Sequence, residues 1–334
     1  MIRIAVDGMG GDHAPAAVIK GIQLFLEKKG SATEVICACV EEKIRQVLDH
    51  SISGMRLVNC DACMPMDAKL SLSALRNKNT TMHSIIQMLK AREVDVAFSA
   101  GNTALFVSIA INELGLIEGI DRPAICVHLP NLRERITLFL DVGANVSPKP
   151  VNLLQYAIMG SLYAENVIEI KNPTVGLLNI GGESGKGDEL RQLTYKRLTE
   201  SSAVNFIGNI EGHEIFTGKA DVIITDGFSG NIVLKVSEGI GKAFKNIMFR
   251  EISKSISGKI GLFIARRSIM NYARKTDYAE YGGGILLGIK GILIIGHGRS
   301  SPKAICNALR LGEKIAEKSF IEKLTEYEEK WVQT

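Results

Sequence analysis

Short runs rich in valine and isoleucine recur along the chain, nearly continuous rather than alternating with polar residues. Ile2–Val6, Val94–Ser99, Ile136–Leu140, Val175–Leu178, Val204–Ile207, Val222–Thr225 and Ile292–Ile295 therefore read as strands covered on both faces. Glycine-containing turns follow them, and then helical patterns at Ala16–Lys28, Ser84–Arg92, Thr103–Leu114, Pro150–Ala164, Glu189–Glu200 and Ser301–Lys318. Strand, turn and helix repeated this often predict an α/β fold, a doubly wound and mostly parallel sheet between helical layers. No Pro/Gly/Ser-rich linker marks a boundary, so residues 1–334 read as one α/β unit with room for two lobes. One region breaks the rhythm. Residues 236–281 form a helical insertion without a clear strand, read as two helices, Asn231–Ser255 and Lys259–Ala273, meeting at Ser257-Gly258.

Glycine is in excess, with 33 residues, and its positions matter more than its number. Glycines gather after the predicted strands in six loops: Asp7–His13, Ser99–Thr103, Asp141–Asn145, Asn179–Gly187, Asp226–Asn231 and Gly296–Ser301. In an open α/β sheet, ligands bind outside the carboxyl ends of the strands. Glycine lets backbone N–H groups approach an anion, and a helix N-terminus adds partial positive charge. Six such loops on one edge of the sheet predict a phosphate or pyrophosphate site; any single loop is better explained as an ordinary βα turn. The specific nucleotide motifs fail. Gly185-Lys186 hints at a Walker A loop, but Gly187 stands where Ser or Thr is required and Ile180 where the first glycine belongs. Gly8–Gly11 is G-x-G-G, which is not the dinucleotide fingerprint. Free phosphate, or phosphate on another carrier, fits better than ATP or NAD.

Composition narrows the class. With 46% hydrophobic and 23% charged residues the chain is globular rather than disordered. A net charge of +4 offers no global polycation for nucleic acid. That charge is unevenly placed: Lys242 to Lys275 holds nine basic residues and one acidic residue, Glu251, a net +8 that leaves −4 on the rest. Phe244, Met248, Ile252 and Ile256 recur every four residues in the same window, one helical stripe. The window reads either as a dimer-interface helix pair or as a basic amphipathic surface. In the second reading Lys254, Lys259, Arg266 and Arg267 dock an anionic membrane or an acidic carrier protein.

The N-terminus lacks the features of a signal peptide, and the most apolar stretch, Ile285–Ile295, is too short to span a bilayer and is broken by Lys290. The expected compartment is cytoplasmic, with the six cysteines reduced. Cys60 and Cys63 have C-x-x-C spacing, but no second such pair follows. Asp7, Asp141 and Asp226 close strands, and with Glu183 they could bind a divalent cation, although the spacing is not diagnostic. No obligatory metal and no cofactor are expected.

Taken in order, the loops resemble those of the bacterial phosphate acyltransferase family. The residues that carry the resemblance are Met9–Pro15, Ser99–Thr103, Leu140–Asn145, Leu178–Gly181, Gly185–Gly187, Asp226–Asn231, Tyr281–Gly283 and His297-Gly298. Ala104-Leu105 after Thr103, Gly182-Glu183-Ser184, and Gly284-Ile285 in a segment where the family has Ala-Pro depart from its pattern, and bear on acyl-chain preference rather than on the reaction. The resemblance implies a fold like that of the isocitrate and isopropylmalate dehydrogenases and of phosphotransacetylase, without nicotinamide chemistry. It implies transfer of a fatty acyl group from acyl-[acyl-carrier-protein] to inorganic phosphate, giving acyl phosphate for a membrane glycerol-3-phosphate acyltransferase. It also implies a homodimer, cytoplasmic but peripherally associated with the membrane.

Such a reaction needs few protein groups, because phosphate is itself the nucleophile; there is no G-x-S-x-G elbow. Lys186, between two glycines, is the first candidate for binding and neutralising phosphate, and Asn231 for donating to phosphate or to the oxyanion. His13 and His297 are candidate proton donors to the leaving sulfur. Gly10, Gly11, Ser99, Gly101, Asn102, Thr103, Gly143, Asn145, Gly185, Gly187 and Gly230 are candidate binding positions. Three other readings remain open: a phosphotransacetylase-like enzyme using acyl-CoA, an NAD-dependent decarboxylating dehydrogenase, and a non-catalytic membrane-docking module.

Overall fold

The computed structural model describes residues 1–27, 33–48, 51–267, 269 and 282–327. Arg274, Lys275, Tyr281 and the end of the second predicted insertion helix lie outside them. Eleven strands form one sheet: β1 (Ile2–Asp7), β2 (Thr33–Cys39), β3 (Met55–Asn59), β4 (Val96–Ser99), β5 (Ala124–Pro130), β6 (Ile136–Leu140), β7 (Thr174–Asn179), β8 (Asn205–Glu211), β9 (Val222–Ile224), β10 (Gly284–Leu287) and β11 (Ile292–Ile295). Their order is β3-β2-β1-β4-β11-β10-β5-β6-β9-β7-β8. Successive side chains alternate between faces. On one face, Ile4, Val6, Val96, Phe98, Val222 and Ile224 share a core with helices α1 (Ala16–Leu26), α6 (Pro150–Tyr163) and α10 (Pro302–Glu317). On the other, Ala5, Ala97, Ile223 and Leu293 pack with α4 (Thr81–Lys90) and α5 (Thr103–Leu114). Both faces are thus buried, which is why the strands read as continuous apolar runs.

Helix starts follow their caps. Asn102 accepts from Leu105 N–H at the start of α5, and Ser301 from Ala304 N–H just before Pro302. Two short helices, α2 (Glu41–Ile44) and α3 (Leu72–Arg76), lie between β2 and α4. Helix α7 (Glu189–Glu200) is capped by Asp188, and α8 (Gly227–Ile252) by Asp226. Helix α8 begins four residues earlier than the sequence pattern predicts, because Asp226 accepts Ser229 N–H and starts it there. The insertion breaks at Ser253–Ser255 rather than at Ser257-Gly258; Ser255 accepts Gly258 N–H and opens α9 (Ile256–Ile264). Within α8 only Gly227 and Gly230 are buried, and within α9 no residue is. The last helix, α11, spans Phe320–Glu326.

The sheet is mostly parallel, but β10 pairs antiparallel with both β11 and β5, and β5 pairs antiparallel with β6. β1, β2, β3, β4 and β11 are mutually parallel, as are β6, β7, β8 and β9. An odd number of reversals separates the two sets, so they run in opposite directions.

One buried group in this core has a measurable consequence. His128 on β5 is buried, its ring 5.6 Å from that of Tyr163. Burial, with help from Lys314, pushes its pKa down to about 4. The unfolded chain takes up this proton near pH 6.5 and the folded chain does not. Stability therefore falls as pH drops through that window, by up to about 1.4 kcal/mol per pH unit. Urea titrations at pH 7 and pH 5 should show about 2 kcal/mol of pH-linked loss that His128→Leu abolishes; equal losses in both proteins would refute the assignment.

Candidate active site

The reversal of strand direction divides the six glycine loops. The sequence pattern predicts all six on one edge of the sheet; three lie on each. The loops after β1, β4 and β11 share one edge, and those after β6, β7 and β9 the opposite one. Gly10, Gly11, His13, Ser99, Gly101, Asn102, Thr103 and His297 belong to the first group. Gly143, Asn145, Gly185, Lys186, Gly187, Gly230 and Asn231 belong to the second. Among the described residues no hydrogen bond or ion pair joins the two groups.

In the first group the polar atoms largely satisfy one another. Ser99 Oγ donates to Asp7 Oδ2 at 2.8 Å and accepts Gly101 N–H at 3.0 Å. Asn102 caps α5 with its oxygen and donates its amide to the Met66 and Ala68 carbonyls, at 2.8 and 3.1 Å. Burial pushes the Asp7 carboxyl up, against the hydrogen bonds it accepts. His13 and His297 are exposed, and His297 Nδ1 accepts Arg299 N–H at 3.1 Å.

The second group is built on three neighbouring strands, β6, β9 and β7. Asp141, fully buried after β6, accepts backbone N–H from Ile125, Gly143, Ala144 and Asn145 at 2.7–3.0 Å. Burial pushes its carboxyl up despite those bonds. Asn145 directs its amide inward, to Tyr156 Oη at 2.8 Å and the Pro123 carbonyl. Helix α8 packs against this loop so closely that a Cβ on Gly230 would lie 1.9 Å from the Asp141 carbonyl oxygen. Only glycine permits that approach. The Asn231 amide then reaches the same loop; its Nδ2 would be 2.9 Å from a Cβ on Gly143.

The loop after β7 is held by side-chain amides. Asn179 Nδ2 donates to the Lys186 carbonyl at 3.0 Å and Asn209 Nδ2 to that of Glu183 at 2.8 Å. Gln192 Nε2 donates to the carbonyls of Gly185 and Gly187, each at 3.0 Å. Gly187 has φ +87° and packs its Cα against Asn179 Oδ1, a position closed to any side chain. With its carbonyls so engaged, the loop leaves the N–H groups of Gly181, Gly182, Gly185 and Gly187 without a protein acceptor among the described residues. Lys186 is exposed, and its stem lies over Gly181. This combination of free N–H groups, a lysine and a helix N-terminus carrying Asn231 suits an anion.

Sequence reasoning did not single out Asn179, Asn209, Gln192, Arg191 or Ser229. Asp188 and Arg191, three apart at the start of a helix, carry a local signal; the others are joined only by the fold. Cys60 is buried and Cys63 half-buried, both free thiols, and burial pushes the Cys60 thiol up, away from the thiolate a metal ligand requires.

A family model described as "Fatty acid synthesis protein" matches residues 2–323. A phosphate acyltransferase of Thermodesulfovibrio yellowstonii is 41% identical over 98% of this chain and 94% of its own length. One from Desulfitobacterium hafniense is 43% identical over 97% and 96%. The chain belongs to the phosphate acyltransferase family. The enzyme's fold is also that of the EutD phosphotransacetylase of Staphylococcus aureus (TM-score 0.61, 14% identity, 94% of each chain). A branched-chain phosphotransacylase of Enterococcus faecalis shares it too (TM-score 0.58, 11% identity, 94% of this chain and 99% of that one). The enzyme is therefore an acyltransferase on a phosphotransacetylase-like α/β fold. No helix among its described residues is long and apolar enough to cross a membrane.

Proposed function

We propose that this enzyme transfers a fatty acyl group from acyl-[acyl-carrier-protein] to inorganic phosphate, giving an acyl phosphate for phospholipid synthesis. The observation that carries the reading is the loop 181–187, pinned by its carbonyls with its N–H groups free and Lys186 among them. Phosphate sits between this loop and the N-terminus of α8. One of its oxygens attacks the thioester carbonyl, the tetrahedral oxyanion forms, the C–S bond breaks and the carrier thiolate leaves. Lys186 neutralises phosphate charge, and the Asn231 amide donates to phosphate or to the oxyanion. Neither Asn102 nor Asn145 is assigned to the ligand, because both amides are engaged internally. His13 and His297 stand on the other edge of the sheet, and the thiolate, a stable leaving group, departs without them.

The donor is assigned to a carrier protein through the insertion. Within residues 242–267 seven basic residues face one glutamate, and Lys254, Lys259, Arg266 and Arg267 are exposed. Carrier proteins are acidic, and complementary charge speeds and orients their docking. Exposed Ile256, Ile260, Phe263 and Ile264 on α9 suit peripheral contact with an anionic membrane and its glycerol-3-phosphate acyltransferase. The apolar residues left exposed along α8, Ile232, Val236, Ile240 and Phe244, suit a second copy in a homodimer.

The test is acyl phosphate formation from labelled phosphate, with long-chain acyl-ACP or acyl-CoA as donor. Acyl-ACP should be preferred, and reversing Arg266 and Arg267 to glutamate should shrink the preference at least ~5-fold at low salt. No acyl phosphate from either donor would end the assignment. A preference for acyl-CoA would instead favour a phosphotransacetylase-like enzyme. Vesicle binding without any acyl phosphate would favour a docking module.

A further inference from the structure

Arg191, on the first turn of α7, lies between two carboxylates. Its Nη1 donates to Asp188 Oδ2 at 2.8 Å, and its Nη2 to Asp226 Oδ2 and, at 3.0 Å, to Ser229 Oγ. The arginine side chain is 15% exposed and the Asp226 side chain 7%. Ser229 Oγ also donates to Asp226 Oδ2 at 2.8 Å, and Ser229 N–H donates to Asp226 Oδ1 at 2.8 Å as the cap of α8. Arg191 and Asp226 are 35 residues apart in sequence and come from neighbouring strand–helix units.

This arrangement poses an electrostatic problem. The N-terminus of a 26-residue helix attracts anions, but here a buried carboxylate already occupies the cap. Burial alone would push the Asp226 carboxyl up; Ser229 and Arg191 outweigh it and hold the carboxyl below its usual range, so it stays ionised. An uncompensated carboxylate would repel a second anion in the same place. Asp188 is much more exposed, at 59%, and water screens its charge.

We infer that Arg191 is a positioning residue of the phosphate site, which cancels the charge of Asp226 so that a dianion can approach the N-terminus of α8. The inference rests on the reading of the site given above. The Arg191–Asp226 ion pair and the Arg191–Ser229 hydrogen bond also fix α7, which follows the Lys186 loop, to the helix that carries Asn231. A fork that binds two carboxylates at once is a task for arginine rather than lysine.

Steady-state kinetics in each substrate test this, together with thermal midpoints. Arg191→Ala should raise the phosphate KM at least ~10-fold, leaving the acyl-ACP KM within about 2-fold, because only the anion meets the uncovered carboxylate. Arg191→Lys should fall between Arg191→Ala and wild type. The double variant Arg191→Ala/Asp226→Asn keeps a capping side chain and removes the charge to be cancelled. Its phosphate KM should return to within ~3-fold of wild type. A purely structural role would raise both KM values together, or leave the double variant as defective as Arg191→Ala; either result overturns the inference. A phosphate KM within 2-fold of wild type in Arg191→Ala also overturns it. If Arg191→Ala does not fold, Asp226→Asn alone decides: a phosphate KM unchanged or lowered supports the inference, and a rise of ~10-fold overturns it. Lys186→Ala serves as the control for the site itself. If it loses turnover while the Arg191 variants keep their phosphate KM, only the role of Arg191 falls. If Lys186→Ala behaves as wild type, the reading of the site falls and this inference with it.

Discussion

Lys186→Ala should lower the turnover of acyl phosphate formation at least ~100-fold while the protein stays folded. Both halves of this expectation follow from how the lysine is held. The loop is pinned through the Lys186 carbonyl, which Asn179 engages, not through its side chain. The side chain is exposed and lies over Gly181. Replacing it therefore removes a charge without disturbing the backbone, and surface changes of that kind typically move stability by less than about 0.5 kcal/mol. The charge itself acts where phosphate approaches an electrophilic carbon and negative charge grows on the carbonyl oxygen. Loss of one such group commonly costs ~3–4 kcal/mol of transition-state stabilisation. Turnover within about threefold of wild type, at saturating phosphate and acyl-ACP, would remove Lys186 from the reaction.

The largest effect on stability is expected at Asp141. Asp141→Ala should destabilise the fold by about 4 kcal/mol or more, as read from urea denaturation at pH 7. The carboxylate is completely buried and accepts four backbone N–H groups, from Ile125 in β5 and from Gly143, Ala144 and Asn145 in the loop after β6. Each buried donor left without a partner costs ~1–3 kcal/mol. A domain of this kind has roughly 5–15 kcal/mol in all, so the variant should sit near the limit of folding. Asp141→Asn retains one acceptor oxygen and should lose less. A loss below ~1 kcal/mol in Asp141→Ala would mean that water replaces the carboxylate at little cost.

These two residues also mark how far the sequence can be read. The loops containing Lys186 and Asp141 are legible because glycine, asparagine and aspartate cluster at the ends of apolar runs. The direction of the strands is not. All six loops were expected on one edge because βαβ units keep strands parallel, and the reversal that separates them arises where that repeat fails. Part of the signal was present. Asn131 to Arg135, five residues that are polar or charged except for Leu132, lies between two runs that form β5 and β6, and a loop this short enforces an antiparallel pair. The pattern was obscured because Ala124–Pro130 contains His128 and ends in a proline, which weakens its reading as a strand. β10 was hidden differently, its four residues merging with β11 into one apolar stretch. β3 is an edge strand with exposed charged and polar positions and showed no continuous run at all. The tie between Arg191 and Asp226 joins two helices through the fold, and no local spacing announces it.

The sheet order has one more consequence, for how the chain is made. β4 pairs with β1 on one side and on the other with β11, residues 292–295, and helix α1 packs against α10, where a Cβ on Gly21 would lie 2.7 Å from Ile305. On the ribosome, the first half of the chain therefore emerges with an open strand edge at β4 and an uncovered apolar face on α1. The edge is not closed until residues 292–295 have been synthesised, nor the α1 face until Pro302–Glu317 have, and chains released early would carry a template for aggregation. The N-terminal strands are made first, yet their part of the sheet is completed only by the last strand in the sequence.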